Sequence, residues 1–387
     1  MTPPEWGRPD RWYSTSTPTL SLPRKRGRVG WGSRCDAPPR VGVAPAGEGR
    51  GSETNRVRTI DIHSHVLTEE TMAMLRKEAP KVAPQLKPID AGFAVLEVGG
   101  TPYRPFPRGG WEIEARLADM DAAEVDMQVL SATPQTYLYD QESALAAACA
   151  AVQNDQIAKL VAAQPDRFLG IATLPMQAPQ RAADELSRAV RTLGLRGTMI
   201  GSNVQGRNLD DPALEPLWAA AAELDAFVLI HPVNVAGIDR LRSYYLNNLI
   251  GNPLDTTIAA ACLVFSGVLE RYPTLKICLA HGGGFVPYQA GRWAHGWKVR
   301  PEPKVNLKQS PKPWIDRFYY DTILHAKNQL EFLVGEVGPS RVLLGSDYPY
   351  DMGTGECVRQ VKALSISESD KATVLGTQAW SLLGRSE

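Results

Sequence analysis

The sequence predicts an α/β fold, a (β/α)8 or TIM barrel, and three observations carry that expectation. From Thr59 onward, eight short runs rich in β-branched residues alternate with Ala- and Leu-rich stretches of helical period. No GxGxxG follows the first run, which argues against an open doubly wound sheet. The roughly 330 residues beyond the N-terminal segment suit one such barrel with insertions.

The elements follow in order. TIDIHSH at 59–65 is the first strand, then DMQVLSA at 126–132, FLGIATLP at 168–175 and LRGTMIGS at 195–202. AFVLIHPV at 226–233, LKICLAHGG at 275–283, FYYDTI at 318–323 and RVLLGSDYP at 341–349 complete the eight. Between them, ESALAAACAAVQNDQIAKLVAAQ and DPALEPLWAAAAELD have helical character, and Asp210 to Pro212 opens the second with an acidic cap ahead of proline. The Pro/Gly-punctuated stretch from Val66 to Gly110 separates the first two strands and reads as a lid or substrate loop.

Residues 1–57 differ from everything after them. They hold nine Arg and one Lys against five acids, with Pro and Gly throughout and almost no aliphatic periodicity. Such a segment buries too little apolar surface to offset its ordering entropy and is expected to be a disordered extension, with residues 58–387 forming the barrel domain. It lacks the apolar core of a secretory signal, and its Arg and Ser content is only weakly that of a transit peptide. A start codon set too far upstream would account for it; a natural N-terminal peptide containing Trp12 would refute that idea. No Met occurs between Met1 and Met72, so a later start would use another codon, near Val43 or Val57.

Composition narrows the function classes. With 387 residues, 43% hydrophobic and 22% charged, the chain is long enough for a large globular core. A net charge of zero and a pI near 7.0 give no field to recruit nucleic acid or an anionic bilayer. No apolar run is long enough to span a membrane. Five scattered cysteines (Cys35, Cys149, Cys262, Cys278, Cys357), with no CxxC pair, indicate reduced thiols and a cytoplasmic location.

Two histidines end the first strand. Side chains alternate along a strand, so His63 and His65 project to one face roughly 6.5 Å apart, a spacing that suits two ligands on one ion. An isolated HxH reads equally well as a solvated turn. Here, however, His231 ends the fifth strand, His281 the sixth and Asp347 the eighth, all at the carboxyl ends where such barrels build active sites. Five metal-competent groups at one end point to a metal site. On the pattern alone, His281 serves equally as a fifth ligand.

This arrangement resembles the amidohydrolase superfamily, with HxH on strand one, His on strands five and six, and Asp on strand eight. LRGTMIGS contains no lysine, whereas binuclear members bridge two metals with a carbamylated strand-four lysine. A single ion is therefore expected. IHPVN, the segment from YYLNNLIGNPLDTT to AHGGGFVPYQAGR, HGWKVRPE and RVLLGSDYPYDMG resemble the aminocarboxymuconate semialdehyde decarboxylase branch over residues 58 to 385.

The resemblance implies roles by position. His63, His65, His231 and Asp347 become ligands of one Zn2+, which manganese or cobalt could replace, with a position left open for chemistry. His281 becomes the catalytic acid/base, a task an imidazole suits near neutral pH. Arg104 in PYRP and Arg292 in QAGR match the two carboxylate-binding arginines, whose planar forks grip a carboxylate bidentately. The Arg292 equivalent reaches the neighbouring subunit's site, which implies a homodimer. Arg108 reads as solvent-facing and His295 as a packing or interface residue; His325 follows strand seven on the active-site side and reads less as a group behind the site than as a bystander. Tyr137 and Tyr139 either line the pocket or pack beneath its loops.

The chain also departs from the family pattern. Val233 and Asn234 follow His-Pro where a tryptophan is expected, and YDMG follows LGSDYP where the pattern has an FPLG-like run. These positions border the substrate, so the metal chemistry transfers better than substrate identity. The implied function is non-oxidative decarboxylation, without an organic cofactor, of a small unsaturated or aromatic carboxylic acid. Hydrolysis of a lactone, ester or amide is the alternative. A metal-holding scaffold without catalysis would require a missing ligand or acid/base, and none is missing.

Overall fold

The computed structural model describes residues 57–384, so the expectation of a disordered extension falls almost wholly outside the described residues. Eight parallel strands appear where the alternating runs stand. They are β1 (Ile60–Val66), β2 (Met127–Ala132), β3 (Phe168–Gly170), β4 (Gly197–Gly201), β5 (Phe227–His231), β6 (Lys276–Leu279), β7 (Tyr319–Asp321) and β8 (Val342–Leu343). β1, β2 and β3 form one ladder, and β4 through β8 pair successively in a second.

Backbone hydrogen bonds close the two ladders into a barrel. Ala172 N donates to Gly197 O at 2.8 Å and Met199 N to Ala172 O at 2.9 Å, joining the β3 end to β4. On the other side Ile62 N reaches Leu344 O at 2.8 Å and His65 N reaches Tyr348 O at 2.7 Å, joining β1 to the β8 end. Strands covered on both faces read as continuous apolar runs, and FVLIH in β5 is buried throughout. At Gly197 the chain enters β4 with φ of 151°, and a Cβ there would lie 1.9 Å from Phe227 O, so glycine alone permits this strand spacing.

Helices cover the barrel. Ser143–Ala163 and Glu215–Glu223 occupy the two Ala-rich stretches. Asp211 caps the second stretch by accepting from Ala213 N, with Pro212 next in line. Trp218 on that helix is 1% exposed and donates its Nε1–H to Leu209 O.

Two expectations are corrected. The Val66–Gly110 insertion is more than a loop: it holds a helix, Glu69–Glu78, and a three-stranded antiparallel sheet of Gln85–Pro88, Phe93–Val98 and Thr101–Pro107. Gly99 and Gly100, with φ of 56° and 82°, make the tight turn between the last two strands, a hairpin signal that FAVLEV-GG-TPYRPF carries in its alternation. Leu67, Met72, Leu96 and Phe106 give this sheet its own small core against Tyr350. The second correction concerns strand ends: β6 stops at Leu279 and β8 at Leu343, so His281 and Asp347 lie beyond the ladders rather than on them. Their φ values of 56° and 58° are left-handed, which no strand can continue through.

Candidate active site

Each side chain of the cluster is delivered by a different constraint. β1 carries His63 and His65 inward, both fully buried. β5 ends at His231, 7% exposed, and the turn after β8 carries Asp347, 5% exposed. After β6 the chain runs through His281, Gly282, Gly283 and Gly284, all at positive φ. A Cβ on Gly284 would lie 2.1 Å from Pro253 O, and one on Gly283 would lie 2.4 Å from the Tyr320 ring. The three glycines thus let the backbone fold against its neighbours and turn His281 into the site.

The metal-competent atoms of His63, His65, His231 and Asp347 lie within 4.8 Å of one another. His63 Nε2 is 3.2 Å from His65 Nε2, and Asp347 Oδ1 lies 3.0 Å from His65 Nε2, 3.4 Å from His63 Nε2 and 4.0 Å from His231 Nε2. The outer ring nitrogens fix the tautomers. His63 Nδ1 meets Asp321 Oδ2 at 2.7 Å and His231 Nδ1 meets Pro232 O at 3.0 Å, both acceptors that require an N–H. Ser131 Oγ gives its proton to Ser64 O and accepts from His65 Nδ1 at 3.2 Å. The Nε2 atoms of His63, His65 and His231 therefore face inward toward one carboxylate.

Electrostatics agree with a ligand set. Burial pushes the His65 pKa down to about 4. Burial, then the neighbouring histidines, push His231 well below its ordinary value. Both are neutral at pH 7, the state that binds a metal. For His63 burial also opposes charge, but the Asp321 bond and Asp347 outweigh it and its pKa is raised. Asp347 is held well below the usual carboxylate range: bonds from His281 and His65 overcome its burial. His231 Nε2 is buried without a hydrogen-bond partner. A divalent cation satisfies that atom and relieves the lone pairs crowded beside it, so the residues present fit one.

His281 stands beside the four. Its Nε2 is 3.5 Å from Asp347 Oδ2, its Nδ1 is buried without a partner, and its backbone N–H donates to Asp321 Oδ2 at 2.9 Å. Sequence reading missed Asp321, which holds both the His63 ring and the His281 backbone; an acid in the buried strand FYYDTI is the signal that could have found it. It also missed Arg116, fully buried, which donates to the carbonyls of His65 and Gly109 and to Gln128 Oε1. Gln128 passes that network to Asp61, whose carboxylate also accepts from the backbone N–H groups of His63 and Ser346.

A cleft of about 770 Å³ opens over the cluster. His231, His281 and Asp347 form its floor, Arg104 and Tyr103 come from the insertion, and Tyr137, Tyr139 and Val233 form a wall. Arg104 is exposed within it. Arg292, on the helix Val286–Val299, is also exposed but does not line this cleft. Neither exposed His295 nor exposed His325 lines it, and Arg108 pairs with Glu112 at 2.7 Å. Cys149, Cys262, Cys278 and Cys357 are free thiols, and among the described residues no helix is long and apolar enough to cross a membrane.

The amidohydrolase family profile matches residues 60–385, nearly the whole barrel. The chain belongs to the amidohydrolase family. It is 36% identical over 329 residues to a 2-amino-3-carboxymuconate-6-semialdehyde decarboxylase of Dictyostelium discoideum, covering 84% of this chain and 91% of that protein. The crystal structure of 5-carboxyvanillate decarboxylase from Sphingomonas paucimobilis superposes with a TM-score of 0.74 at 28% identity, over 85% of this chain and 99% of that one. A dihydroxybenzoic acid decarboxylase from Polaromonas, solved with manganese and 2-nitroresorcinol, gives 0.70 at 26% identity over 85% and 97%. These relatives bear out the branch expected from the sequence and place the chain among the metal-dependent decarboxylases of this family.

Proposed function

We propose that the chain decarboxylates a small unsaturated or aromatic carboxylic acid, without an organic cofactor, at one zinc ion held by His63, His65, His231 and Asp347. The observation that carries this reading is the buried, unpartnered His231 Nε2 among inward-facing donors, with His281 directly beside them. Three imidazoles and a carboxylate are sound zinc donors, and the manganese in the Polaromonas relative makes that ion the first substitute to try.

When bound, the metal supplies Lewis-acid stabilisation of negative charge developing on the substrate. Arg104 holds the substrate carboxylate at the cleft mouth through a charge-assisted pair of hydrogen bonds. The bond between the carboxyl carbon and the substrate frame breaks, its electron pair stays on the frame, and carbon dioxide departs. His281 delivers a proton to the frame carbon that retains the pair, so a C–H bond replaces the C–C bond. Asp321 keeps the His63 ring and the His281 backbone in place while this happens. Tyr137, Val233 and Tyr350 screen the reacting carbon from water.

Arg292 completes the site from a second subunit of a homodimer. It is exposed and does not line its own cleft, and Tyr288, 76% exposed one turn earlier, is the kind of side chain a partner covers. The decarboxylase names among the relatives weigh against the lactone, ester or amide hydrolase reading.

The test is carbon dioxide release by the metal-loaded protein from aminocarboxymuconate semialdehyde, its hydroxy analogue and several hydroxybenzoates. Release from at least one, abolished by His281→Ala, is the expected result. Silence across the panel together with turnover of a lactone or ester would overturn it.

A further inference from the structure

Four carboxylates are buried among the described residues: Asp61, Asp255, Asp321 and Asp347. Three belong to the centre already described or to the bonds behind it. Asp255, 4% exposed on the helix Asn252–Phe265, has no such role. It does not line the cleft, and every hydrogen bond it accepts comes from an uncharged donor. A buried carboxylate is costly unless its oxygens are satisfied, so donors that converge on one are held firmly in place.

These donors lie on the two chain segments that follow β4 and β5. Asp255 Oδ2 accepts from the Ser202 hydroxyl and from Asn203 Nδ2 at 2.9 Å, and Oδ1 accepts from Ala236 N at 3.0 Å. Ser202 Oγ in turn accepts from Val233 N at 3.2 Å, and Asn203 Nδ2 also donates to Val233 O at 2.7 Å. Residues 233–236 are thereby held at both ends. Val233, Asn234 and Val235 line the cleft just beyond the ligand His231. This stretch has no regular structure of its own, and Asn234 sits in left-handed backbone at φ 45°. Its place against the cleft depends on the bonds that Asp255 gathers.

We propose that Asp255 is a positioning residue for substrate binding: through Ser202, Asn203 and Ala236 it sets the cleft wall at residues 233–236, and so the tightness with which the acid is held. It makes no hydrogen bond to a metal ligand or to His281. The inference rests on the decarboxylase reading and adds a residue to it. The site requires a carboxylate and not merely its shape. Asn203 Oδ1 accepts from Gly206 N at 2.9 Å, which keeps its Nδ2 turned toward Asp255. In Asp255→Asn the amide nitrogen would meet an N–H in either orientation, that of Asn203 or that of Ala236, and one anchor would be lost.

The experiment is steady-state kinetics of the metal-loaded full chain, Asp255→Asn and Ser202→Ala on an acid of the panel that the wild type turns over, with metal content, Tm and hydrogen exchange. Asp255→Asn should raise KM about tenfold, keep kcat within about twofold and leave the metal-to-chain ratio unchanged. Exchange in a peptide covering residues 232–240 should quicken about tenfold while strand peptides stay as they are. Ser202→Ala keeps the carboxylate and decides the matter if Asp255→Asn does not fold: its KM should rise about threefold. The double variant should be little worse than Asp255→Asn alone, because both act through one set of bonds. A lower Tm with KM unchanged would make Asp255 merely structural, and loss of metal would place its action on the centre; either overturns the inference and leaves the decarboxylase reading standing. Release of carbon dioxide from no acid of the panel would overturn that reading and this inference with it.

Discussion

The floor of the cleft and its rim are built on different principles. On the floor the outer nitrogen of each ligand histidine is tied, to Asp321, Ser131 or Pro232, and behind them Arg116, Gln128 and Asp61 hold the β1 backbone. Toward the rim, groups remain without partners: Arg104 is exposed and the Tyr137 hydroxyl is unsatisfied. A barrel therefore fixes the chemistry with its strand ends and leaves recognition to inserted segments and loops. Substitutions on the floor should change metal and turnover together, and substitutions at the rim should change substrate use alone.

The largest effect expected is on the floor. His65→Ala removes an inner donor and leaves Asp347 buried with one bond fewer, so metal affinity should fall more than a hundredfold, read by competition with a chelating dye. His281→Ala should keep its metal and lose about 10²- to 10⁴-fold in turnover, since only proton transfer is removed. Asp321→Asn, which keeps the shape but weakens the hold on His63, should lower metal affinity about 10- to 100-fold. Retained metal affinity in this last variant would show that the outer bonds do not tune the centre.

The contrast also explains what the sequence made legible. HxH, two further histidines and an aspartate at strand ends pointed to the floor, because metal ligands are few, chemically distinctive and placed by strand periodicity. Asp321 escaped notice because one acid in FYYDTI has no distinctive spacing, and Arg116 because its role depends on which carbonyls the closed barrel brings to it. The eight strands were visible as buried apolar runs, while their ends were overextended at His281 and Asp347, where local left-handed backbone overrides the pattern. At the rim, GG between alternating runs could have disclosed the small sheet. Which of its faces meets the cleft depends on tertiary packing.

Smaller effects sharpen the rim side. Arg104→Ala should raise KM for a carboxylate substrate by about tenfold or more, with metal content unchanged, as expected for a lost charge-assisted bond. Loss of metal in that variant would erase the distinction between floor and rim. Acid should act on the floor alone: because the His63 pKa is raised above 6.5, protonation there competes with metal as pH falls through its raised value. As pH falls below that raised value the metal dissociation constant should rise by up to about tenfold per unit, the slope of one proton. His65 and His231, already neutral there because their pKa values are lowered, add little until lower pH.

The most direct measurement is the metal-to-chain ratio of the purified protein beside His231→Ala and His281→Ala, taken by elemental analysis. The predicted ratios are one, near zero and one. Two ions in the wild type, or loss of the metal from His281→Ala, would contradict a single four-ligand centre with a separate acid/base.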